Sequence, residues 1–275
     1  MLTSSRSLNR ASKTAPLPQT AALRDLYRSG VLPRAGQLIV IFGQPGSGKS
    51  TFAEHYINDM DCSALYFSAD MDAQDAISRL GAMRTGWSVE AVSSAIAAGG
   101  ADYISDEVYD SKIVWCFDSG PTLQDITDEL DAYVEVHDAY PRVLVIDNAM
   151  NVEAETEDEQ GGLKFVFKEL HRLAHETGIT VFLLHHAREE GDPALPPGRD
   201  KLQGKVAQLP EIILGVALDQ EKQLFHIAPV KVRSGKSDAT GRTYISLTAD
   251  PVRANFKAYE PPQYSISHAG RTESW

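Results

Sequence analysis

From Gln37 onward the chain alternates short apolar runs with longer stretches whose apolar residues recur at helical spacing. Leu38-Ile39-Val40-Ile41-Phe42, Ala64-Leu65-Tyr66-Phe67-Ser68, Ile113-Val114-Trp115-Cys116-Phe117, Val143-Leu144-Val145-Ile146-Asp147 and the run from Thr180 to Leu184 all read as buried strands. Near-continuous apolar strands are the pattern of a parallel sheet covered on both faces. The stretches between them predict the covering helices. One runs from about Gly48 to Met60, one starts near Ala73, and one is capped by Ser88 and ends near Gly99-Gly100. Thr122 with Asp125 makes a capping box for a helix presenting Leu123, Ile126, Leu130 and Val134. Leu163, Val166, Leu170 and Ala174 line one face of a later helix that Gly178 ends.

Beyond these, Gly191 to Gly204 is rich in Pro, Gly and charge and reads as a long mobile loop. The runs Ile212 to Leu218 and Leu224 to Val232 suit antiparallel pairing, and Tyr244 to Leu247 suits one more strand. The expected fold is α/β, a mostly parallel central sheet flanked by helices with a C-terminal antiparallel extension. Residues 1–19 read as a disordered arm, 20–36 as a linker with a short helix, 37–258 as the core and 259–275 as a mobile tail.

Composition narrows the setting. At 275 residues and 43% hydrophobic content, the chain is long enough for one sizeable core. Its two cysteines, Cys62 and Cys116, have no ligand-like spacing, which favours a reducing, cytoplasmic setting over a disulfide framework or a zinc site. No stretch approaches the roughly 20 apolar residues of a membrane span, and the start of the chain lacks the apolar centre of a signal peptide. The net charge is −12, yet the first 36 residues carry Arg6, Arg10, Lys13, Arg24, Arg28 and Arg34 against Asp25 alone. The remaining body is therefore strongly acidic, and any contact with DNA needs a local basic surface.

Between the first strand and its helix lies Gly43-Gln44-Pro45-Gly46-Ser47-Gly48-Lys49-Ser50, the pattern of a P-loop, followed by Thr51. Backbone N–H groups and the positive end of the helix surround phosphates there, and side chains in place of the glycines would block the approach. Lys49 adds a point charge near the outer phosphates of ATP, and the Ser50 hydroxyl is placed for Mg²⁺. An acid on a neighbouring strand completes such a site, and Asp147 ends one; the same position also suits a helix cap. Asn148 follows it and can order a water.

The attacking water needs a base or a polarising group, and Asp70 at the end of the second strand is the candidate. Asp72 and Asp75 compete with it, and all three also fit an acidic helix N-terminus. His185 and His186 close a strand, where adjacent side chains point to opposite faces, so the two do not easily grip one ion. One of them facing the nucleotide is the functional reading; a satisfied core or surface histidine is the alternative. Lys231 and Arg233, at spacing two on a strand end, project to one side; on spacing alone they read as a solvated strand end.

Taken jointly, these elements resemble RecA-fold P-loop ATPases of the DnaB type, the hexameric replicative helicases, and especially stand-alone cores of the plasmid RepA type. The resemblance covers roughly residues 35–258. Phe67-Ser68-Ala69-Asp70-Met71 is similar to the F-S-L-E-M segment and implies that Asp70 stands for the catalytic glutamate, one methylene shorter. Cys116-Phe117-Asp118-Ser119 resembles the next strand end, and Val145-Ile146-Asp147 the Mg²⁺-binding strand. His186, in Leu183-Leu184-His185-His186-Ala187-Arg188, falls at the γ-phosphate-sensing position. Gly204-Lys205-Val206-Ala207-Gln208-Leu209-Pro210-Glu211-Ile212-Ile213 resembles the following loop and strand. Lys231-Val232-Arg233-Ser234-Gly235 is similar to the K-x-R-x-G that reaches a nucleotide on the neighbouring subunit, which implies a ring or filament with ATP at subunit interfaces. The primase-binding N-terminal domain of bacterial DnaB proteins is expected to be absent.

The leading expectation is an ATP-driven DNA motor, hexameric and of a phage or plasmid type, acting on single-stranded DNA with replication or recombination proteins as partners. A recombinase-like or mediator ATPase that assembles on single-stranded DNA without unwinding it is the second reading, and a switch ATPase with protein partners and no DNA is the third. Arg188, Arg199, Lys201 and Lys205 favour the first two. Glu153, Glu155, Glu157, Asp158 and Glu159, where a DNA-facing loop would avoid acids, favour the third. Nuclease chemistry from acid clusters with Mg²⁺ has no spacing here that demands it.

Overall fold

The computed structural model describes residues 15–100, 102–154 and 159–261. The arm's Arg6, Arg10 and Lys13, the acids Glu155, Glu157 and Asp158, and the tail after residue 261 lie outside the described residues. The strands are β1 (Leu38–Gly43), β2 (Ala64–Ser68), β3 (Ile113–Cys116), β4 (Val143–Asp147), β5 (Thr180–His186), β6 (Ile212–Asp219), β7 (Leu224–Val232), β8 (Ile245–Asp250) and β9 (Asn255–Ala258). They form one sheet in the order β3-β2-β4-β5-β1-β6-β7-β8-β9. The first six in that order run parallel and the last three antiparallel, as the apolar pattern predicts.

The helices are α1 (Arg24–Arg28), α2 (Lys49–Met60), α3 (Ala73–Thr85), α4 (Val89–Ala97), α5 (Asp102–Tyr109), α6 (Leu123–His137) and α7 (Glu159–Thr177). Alternate residues of each central strand feed opposite layers. Ile39, Ile41, Tyr66, Val145 and Phe182 pack under α2 with Phe52, Tyr56 and Ile57. Leu38, Val40, Phe42, Leu144 and Leu183 pack under α6 and α7 with Ile126, Leu130, Phe167 and Leu170. This two-sided burial explains why the strands read as continuous apolar runs. The Thr122–Asp125 capping box forms at the start of α6. None of the described helices is long and apolar enough to cross a membrane.

Several expectations are corrected. Leu17, Leu23, Leu26 and Val31 are buried in the core, and Leu17 N–H donates to Pro33 at 2.8 Å, so residues 15–36 pack onto the core and include the expected short helix at Arg24–Arg28. α5 follows Gly99-Gly100, which reads as a stop; Ile104 docks it against Ala82 and Val92. β9 is missed because only Phe256 marks it as apolar on its buried face, where it closes a hairpin with β8. The segment read as a mobile loop is fastened: Arg199 N–H donates to Ala239 at 2.8 Å, Leu202 is buried and bridges to Ala187, and Lys201 pairs with Glu190.

Candidate functional site

The C-terminal ends of the parallel strands form one edge of the sheet, where ligands of such folds gather. β1 ends at Gly43, and the chain turns through Gln44 to Gly48 into α2, as the P-loop pattern predicts. Ser47 N–H donates to Gln44 at 3.1 Å and closes the turn. Gly46 and Gly48 sit at φ +74° and +78°, which glycine tolerates without strain. A Cβ on Gly43 would lie 2.6 Å from the Val216 carbonyl and collide with the Ser47 hydroxyl. The first turn of α2 contains no acid, so its unpaired N–H groups face the loop without a competing anion.

Two polar groups in this loop fit a phosphate. The Ser47 hydroxyl is buried with no hydrogen-bond partner. Lys49 is 7% exposed, and burial holds its pKa below the ordinary lysine value while Asp147 and Asp70 pull the other way. A buried ammonium and a buried orphan hydroxyl are costly without an anionic partner.

Asp147 lies beside this loop on β4, two strands from β1. It is 5% exposed, and burial raises its pKa, opposed by hydrogen bonds from Ser50 and Tyr66 and by the charge of Lys49. The Ser50 hydroxyl and the Asp147 carboxylate are oxygen donors of the kind that hold Mg²⁺ directly or through water. Asn148 does not stand free to order a water. Its Oδ1 accepts from Met150 N–H at 2.9 Å, and its Nδ2 donates to Asp70 Oδ2 at 3.2 Å. Asp70 is exposed at the mouth, whereas Asp72 caps α3 by accepting from Asp75 N–H at 2.8 Å and so leaves the competition.

The two histidines separate as strand geometry requires. His185 is buried against Phe167, with Nε2 3.3 Å from the Gln203 carbonyl; burial, foremost, pushes its pKa down to about 4. It is a neutral core residue. His186 pairs in register with Gly43 and is half-buried; burial first and then Lys49 lower its pKa, and its Nδ1 has no hydrogen-bond partner. The site therefore gathers Lys49, Ser50, Asp70, Asp147 and His186. Thr51 and the loop's Gly48 line a cleft of 230 Å³ with Arg79, Leu218 and Asn255. The outer face of the loop, Gln44 to Ser47, lines a cleft of 560 Å³ against Asp192 to Ala194 and Leu218 to Lys222.

Sequence reasoning missed three neighbours. Tyr66 donates from its hydroxyl to Asp147 Oδ2 at 3.1 Å, and Glu54, 2% exposed, lies 3.4 Å from Arg79. Parity held part of the signal, since Tyr66 shares a β2 face with Ser68, the partner of Asp147. Helical spacing held another, because Glu54 follows Ser50 by four residues on α2.

Lys231 and Arg233 lie at the opposite sheet edge. Glu211, immediately before β6, is the hub there: its Oε2 accepts from Leu38 N–H at 2.9 Å, and its Oε1 lies 3.1 Å from Arg233 Nη1. Lys231 Nζ donates to the carbonyls of Ala207 and Gln208, each at 2.8 Å. Neither cation is a bare solvated strand end, and neither is near the P-loop. Leu38 and Gly43 are the two ends of β1, roughly 16 Å apart at about 3.3 Å per residue.

Comparison with known proteins agrees with this geometry. Residues 8–192 match the family model described as AAA domain. The gene 65 protein of Mycobacterium phage L5 is 33% identical over 248 residues, covering 86% of this chain and 91% of its own. Its counterpart from Mycobacterium phage D29 is 33% identical over 222 residues, covering 76% and 94%. Among solved structures, one described as an ATPase domain superposes with a TM-score of 0.78 at 17% identity, covering 92% of this chain and 95% of that one. A DnaB-like replicative helicase, whose structure was described with its interactions with primase, gives 0.77 at 17% identity, covering 92% and 67%. With the phosphate loop built as described, this chain is a RecA-fold P-loop ATPase and belongs to the AAA domain family.

Proposed function

We propose that the chain is an ATP-hydrolysing DNA motor of the DnaB/RepA type, working as a hexameric ring with ATP held between subunits. One observation carries this reading: the basic pair Lys231 and Arg233 stands at the sheet edge away from the P-loop of the same chain. A side chain there reaches an ATP only if the ATP belongs to a neighbour. The fold shared with the DnaB-like replicative helicase supports the class of motor.

In this reading the loop amides and Lys49 bind the β- and γ-phosphates, and Gly43 to Thr51 shape the cradle. Ser50 and Asp147 would hold Mg²⁺, which would supply neutralisation of phosphate charge. Asn148 holds the Asp70 carboxylate by a 3.2 Å hydrogen bond, and Asp70 orients the attacking water and accepts its proton. His186, kept neutral by burial and Lys49, turns its unpartnered Nδ1 to the γ-phosphate and reports its loss to β5. The neighbour's Arg233 leaves Glu211 and stabilises charge on the transferring phosphoryl group.

The DNA part rests on Arg188, Arg199, Lys201 and Lys205, yet Glu189, Glu190, Asp192 and Asp200 interleave with them and Lys201 is already paired with Glu190. That balance favours the switch-ATPase reading as the competitor. ATPase rate with and without single-stranded DNA across a salt series, together with strand displacement, separates the readings. Stimulation that fades with salt and accompanies unwinding supports the motor. Stimulation without unwinding transfers the chain to the recombinase-like class, and no stimulation to the switch class.

A further inference from the structure

We propose that His171, His175 and Glu211 form a binding site for a divalent transition-metal ion of the zinc class, on the sheet edge away from the P-loop. The two histidines are four apart on α7 and so share a face of that helix. Their Nε2 atoms lie 3.1 Å from each other, and they lie 3.0 Å and 3.7 Å from Glu211 Oε1. Zinc bound tetrahedrally at about 2.0–2.1 Å spaces its donors roughly 3.3 Å apart, close to the mean of these three separations. Two imidazoles and one carboxylate are also the donor types such ions take.

Hydrogen bonding accounts for this convergence poorly. A neutral ring nitrogen is either a donor or an acceptor, and His171 Nε2 faces both a carboxylate oxygen and another ring nitrogen at bonding distance. A metal ion in the middle would satisfy all three atoms at once. The carboxylate is also fixed from behind, because its other oxygen accepts from Leu38 N–H at 2.9 Å, an outer contact of the kind that orients metal ligands. The His175 side chain is 51% exposed, so an ion has a path from solvent and an open fourth position.

Arg233 points Nη1 at the same Oε1, 3.1 Å away. A dication seated there repels the guanidinium and takes its oxygen, so filling the site expels Arg233 from its resting pair. The effect of that expulsion on hydrolysis rests on the proposed function; the metal site does not.

The test uses full-length, untagged protein without nucleotide or Mg²⁺. Titration with Co²⁺ is followed by visible absorption and then by Zn²⁺ displacement in a calorimeter. One ion per chain is expected, with the intense spectrum of four-coordinate Co²⁺. His175→Ala, a half-exposed position that leaves the core intact, should weaken binding roughly 10–100-fold or more, the range typical even for outer partners of metal ligands. His171→Ala should do the same, with unchanged circular dichroism, and Arg233→Ala should tighten binding. A Co²⁺ spectrum that stays that of the hydrated ion, or a His175→Ala titration matching wild type, overturns the site. Equal affinity in Arg233→Ala overturns the competition. Because ATP is absent, failure of the ring mechanism leaves the metal result untouched, and loss of metal binding leaves the ring test standing.

Discussion

The two edges of the sheet hold their cations in opposite ways. At the P-loop edge, Lys49 is buried on a loop built from one contiguous strand, turn and helix. At the far edge, Arg233 is 57% exposed and rests on Glu211, a residue that also gathers His171, His175 and the backbone of Leu38. The first arrangement is closed: Lys49 is 7% exposed, beside the buried Ser47 hydroxyl. The second is satisfied within its own chain but easily exchanged, because a solvent-exposed guanidinium gains little from a single ion pair. Fixed geometry suits phosphate binding. A replaceable contact suits the proposed exchange of Arg233 between Glu211 and a neighbour's ATP.

The sharpest way to break this comparison is to remove the far-edge cation. If Arg233 acts on a neighbour's ATP, Arg233→Ala lowers ATPase rate by ~10³–10⁵ while leaving nucleotide binding intact. Lys49→Ala subunits lose the pocket but keep Arg233. Mixing the two inactive variants should restore part of the activity, rising with protein concentration. Near-normal turnover of Arg233→Ala alone removes the role, and absence of rescue in proven mixed assemblies removes the partner subunit.

A smaller effect tests the near edge. Asp70→Asn keeps the shape and the contact with Asn148 but loses the base, so hydrolysis should fall by about 10²–10⁴ with ATP affinity kept. Equal loss of binding and turnover would make Asp70 a structural group. Asp70→Glu, one methylene longer, checks whether reach limits the rate.

How far the sequence discloses each edge follows from the range of its contacts. The strands β1, β2, β4 and β5 and the helices α2, α6 and α7 are legible because burial on two faces and capping residues are local signals. Gly43 to Ser50 is legible for the same reason. The Glu211 hub is not, since Leu38, His171, His175 and Arg233 converge on it from distant parts of the chain. β9 and α5 escape because each places few apolar residues on its buried side and relies on a neighbour to be held. Residues 15–36 read as peripheral by their composition, though the apolar spacing of Leu23, Leu26 and Val31 carries the signal of burial.

The loop between the two edges is the next test, with a moderate effect. Arg199, Lys201 and Lys205 changed together to Ala should weaken single-strand binding and flatten its salt slope by up to about 2, at ~0.7 for each phosphate no longer neutralised. Lys201→Ala alone should cost less than Arg199→Ala, because Lys201 already pairs with Glu190, whose hydrogen bond raises the lysine pKa. An unchanged slope in the triple variant moves the DNA contact elsewhere.

The smallest effect asks whether the P-loop edge is set by burial itself. Glu54, one helical turn beyond Ser50, is fully enclosed; burial raises its pKa to about 8 from 4.5, against the pull of Arg79 3.4 Å away. Between these two values the folded chain keeps a proton that the unfolded chain has released. Stability must therefore fall as pH rises from about 4.5 to about 8 on account of this group. Glu54→Gln is neutral at every pH and should abolish that part of the slope. Its melting temperature should exceed that of the parent protein at pH 8 and approach it near pH 5, with each kcal/mol worth roughly 2–4 °C in a chain of this size. The opposite result, a Gln variant that melts lower at pH 8, would mean that Glu54 is ionised and held by Arg79. The near edge would then be an ion-pair network like the far one, and the contrast between a closed site and an exchangeable one would rest on exposure alone.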